Sequence, residues 1–407
     1  MQCAIVDAYG AGRLLPAALR RHGVDYLHVR SEHPDTNLTY CPEDFTTEVT
    51  HRGDVQQTAE TLRRHGTGIV VAAAESGVLL ANELSAALGT PGNGMRHPEA
   101  RRDKFRMHRA VQEAGLPSAD SVLSAHVEDI LQWAKDRGTW PVVLKPVASA
   151  GTDNVIFCDS PEAVAAAHAK IVAGVDRYGR GNPAVLAQEY LAGEEHYVNT
   201  VSRDGVHRII EIWHYYKRPA PGGRSINDYE DLLPPDDPGG RRVADYTLSV
   251  LEALEIRNGA AHTEVMLTRS GPVLVECGAR LGGGQMPQVL SRCVGTDQVD
   301  SLALSIARPE EFLRRAQEPY RLLSRLRCVN LISETGGTVP SGEGWAPIRA
   351  LASFAGLVTN LAEGGPAPRT VDLATCPGAV YLTSDDPAVI EADTARLREL
   401  ERTCLYG

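Results

Sequence analysis

Residues 262–284 read HTEVMLTRSGPVLVECGARLGGG, and this stretch decides how the rest of the chain is read. Two acids, Glu264 and Glu276, flank a turn signal, Arg269-Ser270-Gly271-Pro272. The arms, Val265-Met266-Leu267 and Val273-Leu274-Val275, are apolar and partly β-branched, which predicts the two strands of a hairpin. With the turn centred near Ser270, each Glu lies six residues away, so antiparallel pairing sets the carboxylates nearly opposite one another on one face. Facing carboxylates repel unless a cation sits between them, and an all-oxygen pair suits Mg²⁺. Arg280 and the run Gly282-Gly283-Gly284 follow, supplying an anion clamp and a backbone that can approach a ligand closely. Taken alone, the same stretch also fits a solvent-facing hairpin whose acids are ordinary surface residues.

Working outward, other residues fit the handling of a phosphorylated ligand. Lys145 ends the apolar run Trp140-Pro141-Val142-Val143-Leu144, and the small-residue loop Ser149-Ala150-Gly151-Thr152 follows with backbone N–H groups free for phosphate oxygens. An exposed lysine before a turn reads equally well there. Lys104 opens the segment DKFRMHRAVQEAGLP; a cation in the first turn of a helix is unfavourable and hints at a bound anion. Gln188-Glu189-Tyr190-Leu191 closes another apolar strand, with Gly193 and Glu195 beyond it. Strand-end backbone groups beside a carboxylate suit a base edge and a sugar hydroxyl, or simply an acidic turn.

The bulk properties bound these readings. The 407 residues allow two or three domains, and a formal net charge of −11 disfavours broad nucleic-acid or anionic-membrane binding. Only five of the 41 basic residues are Lys, so a Lys at a motif position stands out. The eight Cys show no CxxC pair and no Cys/His cluster, which suits a reducing compartment and gives no zinc signature. No secretory leader is evident, and no run approaches the ~18 apolar residues of a membrane span. A cytoplasmic protein is expected.

Strands Cys3–Ala8, Tyr26–Val29 and Gly68–Ala73 alternate with helices, predicting a parallel α/β domain over 1–95. Gly10-Ala11-Gly12 lacks the third glycine of a dinucleotide fingerprint, since position 15 is Leu, which disfavours a nicotinamide site. A linker helix is expected over 96–117 and a small mobile α+β domain over 118–195. A carboxylate-bearing domain over 196–320 and a C-terminal subdomain over 321–407 complete the expected division. The fold class is thus α/β and α+β multidomain. Residues 218–240, rich in Pro, Gly and Asp, read as a long surface loop.

Taken together and in order, DKFRMHRAVQEAGLP, PVVLKPVASAGTDNV, LAQEYLAGEEHYVNTVSRDG and the 262–284 stretch resemble the ATP-grasp superfamily, over about residues 90 to 290. Within it the chain looks most like carboxylate–amine ligases of the bacilysin-synthetase type. The resemblance implies an ATP-grasp fold behind an N-terminal parallel α/β domain. It implies ATP and Mg²⁺, with Mn²⁺ as a substitute. By the same resemblance Lys104 and Lys145 would contact the ATP phosphates, beneath the loop Ser149, Ala150, Gly151 and Thr152. Glu189 with the backbone of Tyr190 and Leu191 would hold adenine, and Glu195 the ribose. Glu264 and Glu276 would ligate the metal, and Arg280 would stabilise the transferred phosphoryl group. One departure is visible: many ATP-grasp enzymes carry Asn two residues after the second Glu, where this chain has Gly278.

The implied reaction phosphorylates a carboxylate, giving an acyl phosphate and ADP. An amine then attacks, releasing phosphate and leaving an amide, most simply a dipeptide. The resemblance leaves open an acceptor held on a carrier protein, and it suggests a homodimer. His262, on the face of Glu264, fits a base or a substrate-orienting residue, and a structural histidine fits as well. Lys217 and Arg218, beside Tyr216, are candidates for gripping a substrate carboxylate, together with Arg280 and Gly283.

Overall fold

Alternating apolar residues set up the first sheet. In the computed structural model, which describes residues 2–36, 38–149, 154–176, 178–220, 224–284 and 286–407, β1 (Gln2–Val6), β2 (Asp25–Arg30), β3 (Glu48–Thr50) and β4 (Thr67–Ala72) form a parallel sheet in the order β3-β2-β1-β4. Ala4 and Val6 pack to one side against α2 (Val55–Arg64) and α3 (Val78–Leu88). Cys3 and Ile5 pack to the other, against α1 (Leu15–Arg21). A period of two with both faces buried is what a parallel sheet between helices requires. Sequence reading found three of these strands but missed β3, which is only three residues long, and α2, whose buried Ala59 and Leu62 do recur at helical spacing among polar residues. Gly10 and Gly12 belong to a short 3₁₀ turn rather than to a nucleotide loop, and a Cβ on Gly12 would lie 2.6 Å from that of Ala73.

α4 (Lys104–Glu113) leads to a second sheet of β5 (Ser121–Ser124), β6 (Val142–Pro146), β7 (Ile156–Cys158) and β8 (Val185–Glu189), ordered β5-β8-β6-β7. One of its faces is closed by α5 (Val127–Arg137) and α6 (Pro161–Ala173) around Ile130, Leu144, Val164 and Ile171.

The third sheet has eight strands. β9 (Gly193–Arg203) and β10 (Val206–Ala220) turn at Asp204-Gly205, both at positive φ. Next come β11 (Arg224–Leu232), α7 (Pro238–Ala253), β12 (Gly259–Thr268) and β13 (Gly271–Gly278). Helices α8 (Pro287–Val294), α9 (Gln298–Ala307) and α10 (Pro309–Arg315) lead to β14 (Arg325–Asn330). A two-stranded ribbon, β15 (Gly337–Thr338) with β17 (Pro366–Ala367), stands apart from the sheet, as does the short α11 (Ala346–Arg349). β16 (Phe354–Thr359), β18 (Gly378–Ser384) and α12 (Pro387–Thr403) complete the chain. The order β13-β12-β9-β10-β11-β14-β18-β16 carries the carboxylate hairpin and the C-terminal strands in one continuous sheet.

β11 corrects the long loop expected over 218–240. Its acids are partnered where an ordinary strand would carry apolar residues. Asp228 meets Arg398 at 2.6 Å, Glu230 accepts the Tyr197 hydroxyl at 2.7 Å, and Asp231 pairs with Arg327. Polar side chains on both faces erase the alternation by which a strand is recognised. No helix among the described residues is long and apolar enough to cross a membrane.

Candidate active site

Glu264 and Glu276 are direct partners across β12 and β13, by a route that counting from the turn does not reveal. Pairing runs one for one from Thr268–Gly271 to Val265–Leu274, around a two-residue turn of Arg269 and Ser270. That register would set Glu264 opposite Val275. Instead Val275 is the extra residue of a β-bulge, and Glu276 takes its place. The bulge shows in the burial, with Val273 and Leu274 both inside and Val275 and Glu276 both half-buried.

Cations converge on the pair. Lys104 is the first residue of α4, capped by Asp103, whose carboxylate accepts the Arg106 N–H at 2.9 Å. Its ammonium donates to Glu276 at 2.9 Å and to the Ser149 carbonyl. The cost of a cation at a helix start is thus offset by a carboxylate and a carbonyl oxygen. Lys145 lies on β6 and is buried, not the exposed lysine that its strand-end position also allowed. Burial and the neighbouring Lys104 push its ammonium down to about 8, against the pull of Glu276, Glu264 and Glu195.

Behind Glu264 lies a relay that sequence reading missed. The buried Glu211 accepts the Asn199 amide N–H₂ at 2.7 Å and the Trp213 indole N–H at 2.9 Å. With its amide nitrogen so engaged, Asn199 turns Oδ1 to His262 Nδ1, 2.7 Å away. Nδ1 therefore carries a proton, and Nε2 faces Glu264 Oε1 at 3.4 Å. Burial works to raise Glu264, but His262, Lys217 and Arg280 outweigh it and hold the carboxyl below the ordinary range. Glu195, on β9 beside them, is pushed up by burial and by Glu264, although Lys217 binds it at 2.5 Å.

Arg280 reaches into the N-terminal domain. Its Nε donates to Glu75 at 3.0 Å and its Nη1 to the Leu281 carbonyl at 2.9 Å. Glu75 is buried just beyond β4 and also accepts from Arg102 at 3.3 Å. Burial opposes its charge, but Arg102, Arg280 and Lys104 keep its carboxyl below the ordinary range. Neither Glu75 nor Arg102 was anticipated. The available signal was a lone acid in AAAESG at the carboxyl end of a parallel strand, where open α/β sheets place their ligands. The pair also accounts for Gly278. A Cβ there would lie 3.0 Å from Glu75 Oε2 and 3.1 Å from Arg280 Cζ, so the ion pair fills the space that an Asn side chain would need.

The remaining candidates spread wider. Glu189 accepts the Asp120 N–H and Arg137 Nη2, both at 2.8 Å. Tyr190 is exposed, edge-on to Phe157, and Leu191 is half-buried. Ser149 is buried through its contact with Lys104, while Ala150, Gly151 and Thr152 fall outside the described residues. Lys217 faces the carboxylates. Arg218, the next residue along β10, lies 4.0 Å from Asp228 and 3.7 Å from Glu334, away from them. Tyr216 likewise leaves the site and stacks on Tyr229. Gly283 is exposed, with open space where a Cβ would stand.

No family model matches the chain. Dapdiamide A synthase of Enterobacter agglomerans is 32% identical over 414 residues, covering 98% of this chain and 95% of that protein. The L-arginine-specific L-amino acid ligase of Bacillus subtilis is 25% identical over 224 residues, 55% of this chain and 54% of that protein. The crystal structure of an L-amino acid ligase from Bacillus licheniformis superposes with a TM-score of 0.75 at 17% identity, over 98% of this chain and 97% of that one, a likeness of fold.

Proposed function

This chain belongs to the ATP-grasp carboxylate–amine ligases, and we propose that it joins two amino acids through an acyl phosphate in the cleft framed by Glu264, Glu276, Lys104, Lys145 and Arg280. The facing carboxylates of the bulged hairpin, ringed by cations from three parts of the chain, carry this reading. Relatives named an L-amino acid ligase and an alanine–anticapsin ligase support an amino acid as a substrate.

The donors fit a hard divalent ion. Glu264 and Glu276 offer oxygen only, and Glu276 is neutralised by a single lysine contact that an incoming cation can replace. Mg²⁺ held there would neutralise charge on the phosphates of ATP; Mn²⁺ suits the same oxygen ligands. Every other task falls to the chain. Lys104 and Lys145 hold the phosphates, with Ser149 and residues 150–152 covering them. Glu189, Tyr190 and Leu191 take adenine, and Glu195 takes the ribose. Arg280, kept charged by Glu75, Glu276 and Glu264 against the cost of burial, meets the phosphoryl group in transfer.

In the first step a substrate carboxylate oxygen bonds to the γ-phosphorus as the bond to the β-phosphate oxygen breaks, leaving acyl phosphate and ADP. In the second an amine nitrogen bonds to the acyl carbon, the tetrahedral species expels phosphate, and the nitrogen gives up one proton. His262 donates through Nδ1 to Asn199 and faces Glu264 with its Nε2–H, so it fixes that carboxylate in place, and the amine's proton leaves with the released phosphate. Closure of the 118–195 domain excludes the water that would hydrolyse the acyl phosphate. Lys217 and Gly283 are assigned to the substrate, whereas Arg218, beside Asp228 and Glu334, is not. A homodimer is the assembly proposed, and sedimentation velocity tests it.

The decisive experiment measures ADP and phosphate release with Mg²⁺-ATP against pairs of amino acids, with mass spectrometry of the products. Release that needs two substrates, with a product mass equal to their sum less water, is the expected result. Silence across all pairs with ATP bound would move the acceptor to a carrier-held or unusual amine. Failure to bind ATP would overturn the assignment.

A further inference from the structure

The sheet face turned away from the cleft carries a second cluster of chemistry-bearing side chains. Side chains alternate along β9, so Glu194 and His196 project opposite to Glu195. His196 pairs directly with His214 on β10 and with Val265 on β12, and Val265 belongs to the core that α7 covers. The imidazoles of His196 and His214 lie face to face, with centroids 4.5 Å apart and planes 9° apart. Their ring nitrogens and a Glu194 carboxylate oxygen all fall within 4.8 Å of one another.

We propose that Glu194, His196 and His214 form a binding site for a divalent transition-metal ion of the Zn²⁺ class. His196 Nδ1 lies 3.1 Å from the Glu194 carbonyl oxygen, an acceptor only, so Nδ1 carries the proton and Nε2 presents a lone pair. A ring N–H given to a backbone carbonyl is the usual support of a metal-bound imidazole. His196 is almost fully buried, a rigid first ligand; Glu194 is exposed and His214 half-buried. Neither the Glu194 carboxylate nor His214 has a hydrogen-bond or ion-pair partner among the described residues. Tetrahedral ligation at ~2.0–2.1 Å needs donors roughly 3.3 Å apart with each lone pair in its own ring plane, so His214 must turn out of its stack on His196 and off the Tyr216 ring, 4.3 Å away, to close on the ion. Two imidazoles and one carboxylate favour Zn²⁺, Co²⁺ or Cu²⁺ over Mg²⁺, which separates this site from the all-oxygen pair of the cleft. Occupied, it would clasp β9 to β10 directly behind Glu195 and Lys217.

The test uses the full-length protein, stripped by chelator and titrated with Co²⁺ in the presence of excess Mg²⁺ to fill the cleft. One equivalent should give the visible d–d band of four-coordinate cobalt, displaced by Zn²⁺. His214→Asn and the exposed Glu194→Gln should each weaken binding by at least ~100-fold, with circular dichroism and ligase turnover without added transition metal unchanged. A band that survives in both variants, or disappears in Glu276→Gln, would overturn the assignment, as would the absence of any band at stoichiometric cobalt.

Discussion

Arg327 lies on β14 and Arg280 two residues past the end of β13, and their surroundings differ in kind. Arg327 forks onto Asp231 at 2.7 and 2.9 Å, onto Glu391 at 3.0 and 2.8 Å, and covers the Tyr229 ring at 4.0 Å. Its donors are used up by fixed partners. Around Arg280 the charges are as dense but incompletely matched. Lys145 contacts no carboxylate among the described residues, Glu264 faces Glu276, and burial raises Glu195 despite its lysine. Saturated charge fixes one conformation. Like charges held together by the fold keep their capacity for something that arrives later, which is why such strain concentrates at functional sites.

The contrast breaks if substitutions at the two places act alike. Glu276→Ala or Glu264→Ala should lower kcat for ADP release by ~10²–10³-fold, equivalent to ~2.7–4 kcal/mol. Each substitution also unpairs a cation, Lys104 or His262, so the thermal midpoint should fall modestly; a fall as large as that at Arg327 would make the pair structural. Arg327→Met should do the reverse. It should cost about 2 kcal/mol in chemical denaturation, below the ~3–5 of a fully buried pair because Glu391 is open to solvent. Its kcat should match the parent enzyme.

Proton titration sharpens the contrast further. Lys145 loses its positive charge as pH rises through about 8 in the free enzyme, so its attraction for phosphate falls with it. The pH profile of kcat/KM for Mg²⁺-ATP should therefore bend downward there, approaching ~tenfold per pH unit. Lys145→Arg should shift that limb upward; an unmoved limb would assign it elsewhere. The smallest effect is expected at Gly278→Ala, where the new methyl would stand 3.0 Å from Glu75 Oε2. Overpacking of ~1 kcal/mol should appear as a severalfold loss in kcat/KM, with the Glu75→Ala background absorbing it.

The sequence made the carboxylate hairpin legible because everything that defines it is local: two acids, two apolar arms and a turn within 23 residues, 262–284. Lys104 and Lys145 were legible because lysine is scarce here. Glu75 was not, since its meaning depends on Arg280, 205 residues later. Asn199 and Glu211 were hidden similarly, being ordinary polar residues until the register of β9, β10 and β12 lines them up behind His262. β11 was lost because its acids answer arginines that the chain has not yet reached.

That dependence on later sequence bears on how the protein can be cut or made. β11 is bonded on one side to β10, its neighbour in the chain, and on the other to β14, which begins at Arg325. Until β14 arrives, Tyr229–Asp231 present an open row of backbone N–H and C=O groups, with Asp228 and Asp231 lacking Arg398 and Arg327. A chain ended near residue 320 would keep all four carboxylates and all three lysines of the cleft, yet carry an unprotected strand edge through its middle. Such a truncation should yield insoluble, cross-paired aggregate instead of a smaller ligase, and pauses in synthesis before β14 should be the moment at which chaperones engage it.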